Sequence, residues 1–298
     1  MEADGETRVK TRSKLQPFVK TGRTTPELDW LKGCGIFLFS LFCLSVLDVL
    51  AKDLVQRNSA PLVNLTRYAV ILVLSCGLMY AKRVPFTVRG PECRLLIARG
   101  VMLGMVGICF MPALQYLPLG EATALYFLSP LIVVMLAPLI LGEQVRLKQY
   151  LAVVVGMAGM LLIVNPGGTL SLLGCGLMLV AACCYAMVQL LTRKLTHRVI
   201  SEQQFFYAAA TCVPMGFVVL CLFWPQVWPD THDMVELLLM ALCGGAGQYL
   251  LIYAFKFVPA SILAPINYFQ LVLAVMFSQL VFDPVSYTHL TLPTNREV

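Results

Sequence analysis

Two stretches decide how this chain is read: GCGIFLFSLFCLSVLDVLAKDL, residues 33–54, and GCGLMLVAACCYAMVQLLTRKL, residues 174–195. They align without a gap at a shift of 141 residues, and seven of the 22 positions are identical, among them the opening Gly-Cys-Gly and the Cys43/Cys184 pair. The basic Lys52 falls on Arg193. The same shift lays ALQYLP, 113–118, on AFKFVP, 254–259, and LILG, 139–142, on LVFD, 280–283. Apolar composition alone does not produce one shift at three separated places, so the sequence reads as an internal duplication.

Composition says what was duplicated. Of 298 residues only 13% are charged, and mean hydropathy is +0.79, where a soluble domain carries roughly a quarter charged. Apolar runs of about 20 residues, the length needed to cross a bilayer, recur nine times, at about 33–51, 62–80, 95–115, 121–141, 148–165, 172–192, 204–223, 235–255 and 260–281. Lipid leaves open backbone groups unsatisfied, and these runs are too long and too uniformly apolar for barrel strands. The expected fold is an all-α polytopic membrane protein. The 11 cysteines lie in or beside the runs without paired spacing and read as packing residues. The three histidines, His197, His232 and His289, fall outside the runs, which leaves little material for a metal centre or a buried proton relay.

The basic residues give an orientation. With the N-terminus in the cytoplasm, 17 of the 22 Lys and Arg fall in cytoplasmic segments and two, Lys52 and Arg57, outside; Arg67 and Arg99 lie within spans and Arg296 in the C-terminal stretch. The net charge of +6 is then a topological signal, and no nucleic-acid partner is needed to explain it. Residues 1–32 mix basic and acidic side chains and read as a cytoplasmic tail rather than a cleaved leader.

A first copy with five spans is odd, so the second copy must enter the bilayer the other way up. Inverted repeats of this kind are common in secondary transporters, where the solute sits between the halves near the midplane. The stretch from Ala113 to Val164 also resembles the central signature of the EamA-type drug/metabolite transporter superfamily, through Pro118, Glu121, Ala122, Ser129, Pro130, Gly142, Glu143, Gly156 and Gly159. Tyr268, Phe269 and Gln270 resemble the matching stretch of the second copy. The resemblance covers about residues 33–283. It implies two inverted five-helix repeats, 33–165 and 170–283, a bacterial inner membrane, and movement of small polar metabolites, often as export. Amino-acid exporters and carriers of nucleotide sugars or other anions share the scaffold. The chain departs from the pattern in that nine of ten helices are present.

Charge inside a bilayer costs on the order of 3 kcal/mol per residue, so each instance needs a partner or a role. Asp48 and Arg67 are expected at similar depth on neighbouring helices. They read either as a gate or zwitterion-binding pair, or as structural charges with Asp48 bonded to Lys52 and Arg67 reaching outward. Arg99 either attracts an anion or extends to lipid phosphate. Glu121 is either a helix cap or a coupling carboxylate, and Glu143 reads as a salt bridge beside Arg146 and Lys148. The expected cavity lining is Tyr126, Ser129 and Pro130 from the fourth span, Gln248 and Tyr249 from the eighth, and Asn267 and Gln270 from the ninth. Pro130 frees a carbonyl there, and Asn267 and Gln270, three apart, share a helix face. The bland alternative for this set is bonding between helices.

No Walker-type loop and no cluster of acid, base and nucleophile occurs, which speaks against ATP-driven transport and against a membrane enzyme. No cofactor, metal or catalytic residue is expected; the expected partners are a small-molecule solute, the lipid bilayer and a second copy as a homodimer. The segment PVSYTHLTLPTNREV, 284–298, matches nothing in the first copy. One reverse translation of it resembles a sequencing-library adapter, so residues from about Pro284 are expected to be a non-native tail.

Overall fold

The computed structural model describes residues 26–163, 171–196, 198–225, 228–270, 272–273 and 276–277. The first 25 residues, the end of the ninth expected span and the suspected non-native tail lie outside the described residues. The described chain is helical: α1 Pro26–Arg57, α2 Ala60–Ala81, α3 Pro91–Tyr116, α4 Leu119–Tyr126, α5 Leu128–Leu141, α6 Leu147–Ile163, α7 Leu172–Thr196, α8 Ser201–Leu222, α9 Thr231–Ala254 and α10 Ala260–Ile266. Seven helical segments, α4 and α5 together counting as one, are long and apolar enough to cross a membrane, and large apolar side chains such as Val73, Leu139, Leu172 and Leu222 face outward. In water that surface would be a liability; it is the surface a bilayer requires. The protein is an all-α polytopic membrane protein. All 11 cysteines are free thiols.

The Gly-Cys-Gly openings are points of closest packing. A Cβ at Gly33 would lie 2.6 Å from Phe257 Cβ and 2.6 Å from Val258 Cγ2; one at Gly174 would lie 3.0 Å from Tyr116 Cβ and 2.8 Å from Leu117 Cγ. Phe257 and Val258 are Tyr116 and Leu117 shifted by 141 residues. Each half therefore lays the start of its first helix on the end of the other half's third helix. The helices follow: α1 packs on α9, α3 on α7, α3 on α8, α2 on α9, and α2 on α8. The third residue of each motif is free, since a Cβ at Gly35 or Gly176 meets nothing within 4 Å.

Polar ties repeat by the same shift. Near the C-terminal end of α1, Lys52 Nζ donates to the carbonyls of Leu114 (2.5 Å) and Leu117 (2.9 Å), open acceptors at the end of α3. Its counterpart Arg193, in α7, donates from Nη1 to the Phe255 carbonyl at the end of α9 and from Nε to Glu143 at 2.9 Å. Lys52 thus does not bond Asp48, and Glu143 pairs with Arg193 rather than with Arg146 or Lys148; in each case the carbonyls or base of a packed neighbouring helix replace a local partner. Arg57 pairs with Asp233, Glu236 and Asp53 at one end of the bundle. Arg198 and Glu92, the positions 141 away from Arg57 and Asp233, pair at 3.6 Å at the other. α9 starts earlier than expected and so takes in His232 and Asp233.

The fourth expected span is not continuous. Pro130 removes a helical donor and its ring crowds the carbonyl four residues back; α4 ends at Tyr126, and Phe127 forms a turn before α5. α10 similarly ends at Ile266, after which Asn267 and Tyr268 turn, with the tighter bonds Tyr268 N to Pro265 O and Gln270 N to Asn267 O. Phe127 and Tyr268, themselves 141 residues apart, stack at 5.6 Å between centroids, and Tyr268 Oη donates to the Phe127 carbonyl at 3.4 Å.

Gly174→Val should lower stability by about 1–3 kcal/mol, because its Cβ would press on Tyr116 Cβ, which cannot swing away, and on the branch point of Leu117. Gly35→Ala should be neutral or stabilising by about 0.5–1 kcal/mol. Thermal unfolding of the two variants in detergent checks the contrast; equal melting temperatures would remove the packing role of the first glycine.

Candidate functional site

A partly open cavity of about 70 Å³ lies between α1, α2, α3, α4, α7 and α9, with Gln270 reaching in from beyond the turn that follows α10. Its walls are mostly aliphatic and aromatic: Leu44, Leu47, Ile71, Leu103, Val106 and Phe110. Polar groups are few and placed on different helices. Asp48 of α1 is 8% exposed, and its Oδ2 accepts a hydrogen bond from Gln270 Nε2 at 2.9 Å. Arg67 of α2 lies over the Tyr68 ring, 4.4 Å from the centroid, a cation–π contact. Arg67 Nη2 makes one long bond to Asn64 Oδ1 at 3.4 Å, and its Nε is buried without a partner. Gln248 of α9 lines the same cavity with its Nε2 unpaired.

One side is aromatic. Tyr126 stacks on Tyr185 at 4.9 Å between centroids and meets Phe110 edge-on at 5.1 Å. Two glycines in the cavity wall leave space for side chains from facing helices: a Cβ at Gly107 would meet Asn64 Oδ1 at 2.3 Å, and one at Gly244 would meet Leu47 Cδ1 at 2.2 Å.

An acid and a base therefore face one cavity without forming a salt bridge with each other, the carboxylate held by an amide and the guanidinium by a ring. An ammonium can be taken by Asp48 and a carboxylate by Arg67, whose planar fork suits it. The volume is about that of two waters, enough for such a group; a whole metabolite needs the walls to part.

The structure brings Asp48, Arg67, Tyr126, Gln248 and Gln270 together here. The other expected lining residues lie elsewhere. Tyr249 is adjacent to Gln248 and so points about 100° away around α9; it donates to Glu202 Oε1 at 2.9 Å and accepts from Lys82 Nζ at 3.1 Å. Glu202, with a smaller contribution from Tyr249, holds the Lys82 ammonium well above the usual lysine value. Ser129 and Pro130 are buried in α5, away from the cavity lining. Asn267 is buried with its Oδ1 unpaired but does not line the cavity, because the turn at Asn267–Tyr268 separates it from the face of Gln270.

Glu121 sits half-buried in the first turn of α4, with no hydrogen-bond or ion-pair partner among the described residues. Arg99 neither extends to a lipid surface nor lines the cavity: it is 0% exposed and bonds Thr192 and the Gln204 carbonyl, so packing of α3 against α7 and α8 withdraws it from lipid. Tyr68 and Tyr185 line the cavity and were not singled out from the sequence.

A membrane-spanning α-helical bundle built around a sparsely polar cavity has the architecture that secondary transporters share. The EamA-like transporter family matches the chain twice, over residues 31–165 and 172–286, and the chain belongs to that family. The S-adenosylmethionine uptake transporter of Rickettsia prowazekii (strain Madrid E) is 27% identical over 259 residues, covering 85% of each chain. The pseudopaline exporter CntI of Pseudomonas aeruginosa (strain UCBPP-PA14) is 28% identical over 260 residues, covering 82% of this chain and 86% of that one. A solved crystal structure superposes with a TM-score of 0.72 at 19% identity, covering 84% of this chain and 88% of the other, a likeness of fold alone. The family and these relatives are transporters of small molecules, not enzymes, and so is this chain.

Gln270→Leu should destabilise the protein by about 1–3 kcal/mol, because it strips the buried Asp48 carboxylate of its donor. Adding Asp48→Leu should recover most of that loss, since removing both partners leaves no orphan. Chemical or thermal unfolding of the single and double variants reads the difference; a double variant that loses the sum of both single effects would show that the bond is not the link.

Proposed function

We propose that the chain is a secondary transporter of small zwitterionic metabolites, amino acids and compounds derived from them, working by alternating access between two inverted repeats, residues 33–165 and 170–283. The observation that supports this is Asp48 and Arg67 facing one cavity without an ion pair between them. A cavity for an anionic solute such as a nucleotide sugar would not set a buried carboxylate in its wall, where it repels the ligand. S-adenosylmethionine, named for the rickettsial relatives, carries both an α-ammonium and an α-carboxylate and fits this pair.

The exchange of partners, α1 with α9 and α3 with α7, supports the inverted-repeat reading, as does the matched pair of ties at opposite ends, Arg57 with Asp233 and Arg198 with Glu92. Opening one end while the other stays tied is what alternating access requires. The relatives are named for opposite directions, one for uptake and one for export. A carrier without its own energy source moves solute down the combined gradients, and net export is the direction we assign in a cell that makes the solute. We place the N-terminus in the cytoplasm, on the strength of the basic residues gathered on that side, and assign the bacterial inner membrane from the family resemblance.

Uptake of labelled S-adenosylmethionine into membrane vesicles, with and without competing amino acids, tests the reading. Asp48→Asn and Arg67→Met should each reduce uptake at low solute concentration about 10-fold to 100-fold, the worth of one charged hydrogen bond. Competition should need both charges: an analogue lacking either the ammonium or the carboxylate should compete far less well than the parent. Equal competition by both truncated analogues would sink the zwitterion assignment.

A further inference from the structure

Arg99 is a buried charge that the cavity does not use. It lies in α3, about two turns from Glu92, with none of its surface exposed. Its Nε donates to Thr192 Oγ1 at 2.6 Å and its Nη1 to the Gln204 carbonyl at 3.1 Å; Nη2 has no partner. Both acceptors are neutral, and among the described residues no carboxylate pairs with it.

Other unmet groups occupy the same two helices at the same end. Both amide atoms of Gln189 are buried without a bond, and so are Gln204 Oε1 and Ser201 Oγ. Gln189 is three residues before Thr192 and so shares its face of α7. α8 starts here after Ile200, which makes no side-chain cap; the carboxylate in its first turn, Glu202, is bonded by Lys82 and Tyr249.

A lone guanidinium buried in a bilayer protein is costly unless an anion or a set of acceptors meets it. The unmet groups include donors, Arg99 Nη2 and the Gln189 amide nitrogen. A carboxylate would satisfy them, and it matches the planar fork of an arginine better than a spherical ion does.

The site is also close to the cavity along α7. Tyr185 lines the cavity, Gln189 follows one turn later, and Thr192, which holds Arg99, about 10 Å beyond Tyr185 along α7. Gln189 stands in α7 where Asp48 stands in α1, at the 141-residue shift.

We propose that Arg99, with Gln189 and Gln204, forms a second binding site, for a carboxylate group, between the Asp48–Arg67 cavity and the Glu92 end of the bundle. The carboxylate comes either from the transported solute as it passes or from a small free carboxylate ion. Only the first source rests on the transport reading above.

The test uses the purified full chain in detergent, with sodium formate as probe and sodium methanesulfonate at equal ionic strength as control. Formate should raise the melting temperature by roughly 3 °C at concentrations well above its dissociation constant. The rise should persist in Arg67→Met, which removes the carboxylate partner in the first cavity; in that background Arg99→Met should abolish it and Arg99→Lys, which keeps the charge and loses the fork, should shrink it. Arg99→Met removes a buried charge for an apolar chain of similar length, so it should fold; if it does not, Arg99→Lys carries the comparison. No formate-dependent rise in the unmodified protein, or an equal rise when Arg99→Met is added to Arg67→Met, overturns the proposal.

Vesicle uptake of labelled S-adenosylmethionine separates the two sources. Loss of uptake in Arg99→Met together with the formate effect assigns the carboxylate to the solute, and loss of the formate effect alone assigns it to a free ion. If the unmodified protein takes up no S-adenosylmethionine, the solute reading above fails while the formate result still decides this site.

Discussion

Two backbones must pass close to each other for this bundle to form: the start of each half's first helix against the chain just past the other half's third helix. Gly33 and Gly174 allow it, because a side chain there would press on Phe257 Cβ, or on Tyr116 Cβ and Leu117 Cγ. Between helices in lipid the hydrophobic effect contributes little, and close van der Waals packing and hydrogen bonds do the joining. The contact fixes where α1 lies on α9 and α7 on α3, and with that the depth at which Asp48, Tyr185 and Gln248 meet. The carbonyl ties of Lys52 and Arg193 secure the same junctions, by satisfying helix ends that water would otherwise satisfy.

Within that frame the cavity is a problem in electrostatics. A carboxylate buried in a bilayer protein needs donors, and Asp48 has the Gln270 amide, brought in by a helix that breaks just before it. Arg67 has a ring face and one long bond. Had the two paired directly, the cavity would be neutral and satisfied, with little to offer a solute. Held apart, each retains capacity for a ligand group of opposite charge. The stacked tyrosines beside them add an apolar wall for the ligand's body.

Much of this is legible in the residues. The 141-residue shift locates the glycine contacts and pairs Lys52 with Arg193, and the rarity of charge in apolar runs picks out Asp48, Arg67 and Arg99. Gln270 stands out as an amide in a span. What the sequence hides is direction around the helix. Gln248 and Tyr249 are both polar-capable neighbours, yet only one can face the cavity, and the loops do not say which. The turns at Phe127 and at Asn267–Tyr268 rotate the residues beyond them, so the three-residue spacing of Asn267 and Gln270 stops meaning a shared face. Tyr68 and Tyr185 look like ordinary core rings until α3 and α7 are placed. Arg99 could reach lipid from an isolated α3; only the arrival of Thr192 and Gln204 from the other half encloses it.

The exchanged packing has a consequence for what counts as a domain. The family matches the chain in two segments, which on paper looks like two beads on a string. In three dimensions neither bead is closed: each leaves its first and third helices bare until the other supplies the covering faces. The covalent link between the segments is therefore not what holds them together. A chain cut between residues 163 and 171 should remain one particle, and two separately made halves should need each other, mixed in the same membrane, before either is a folded protein.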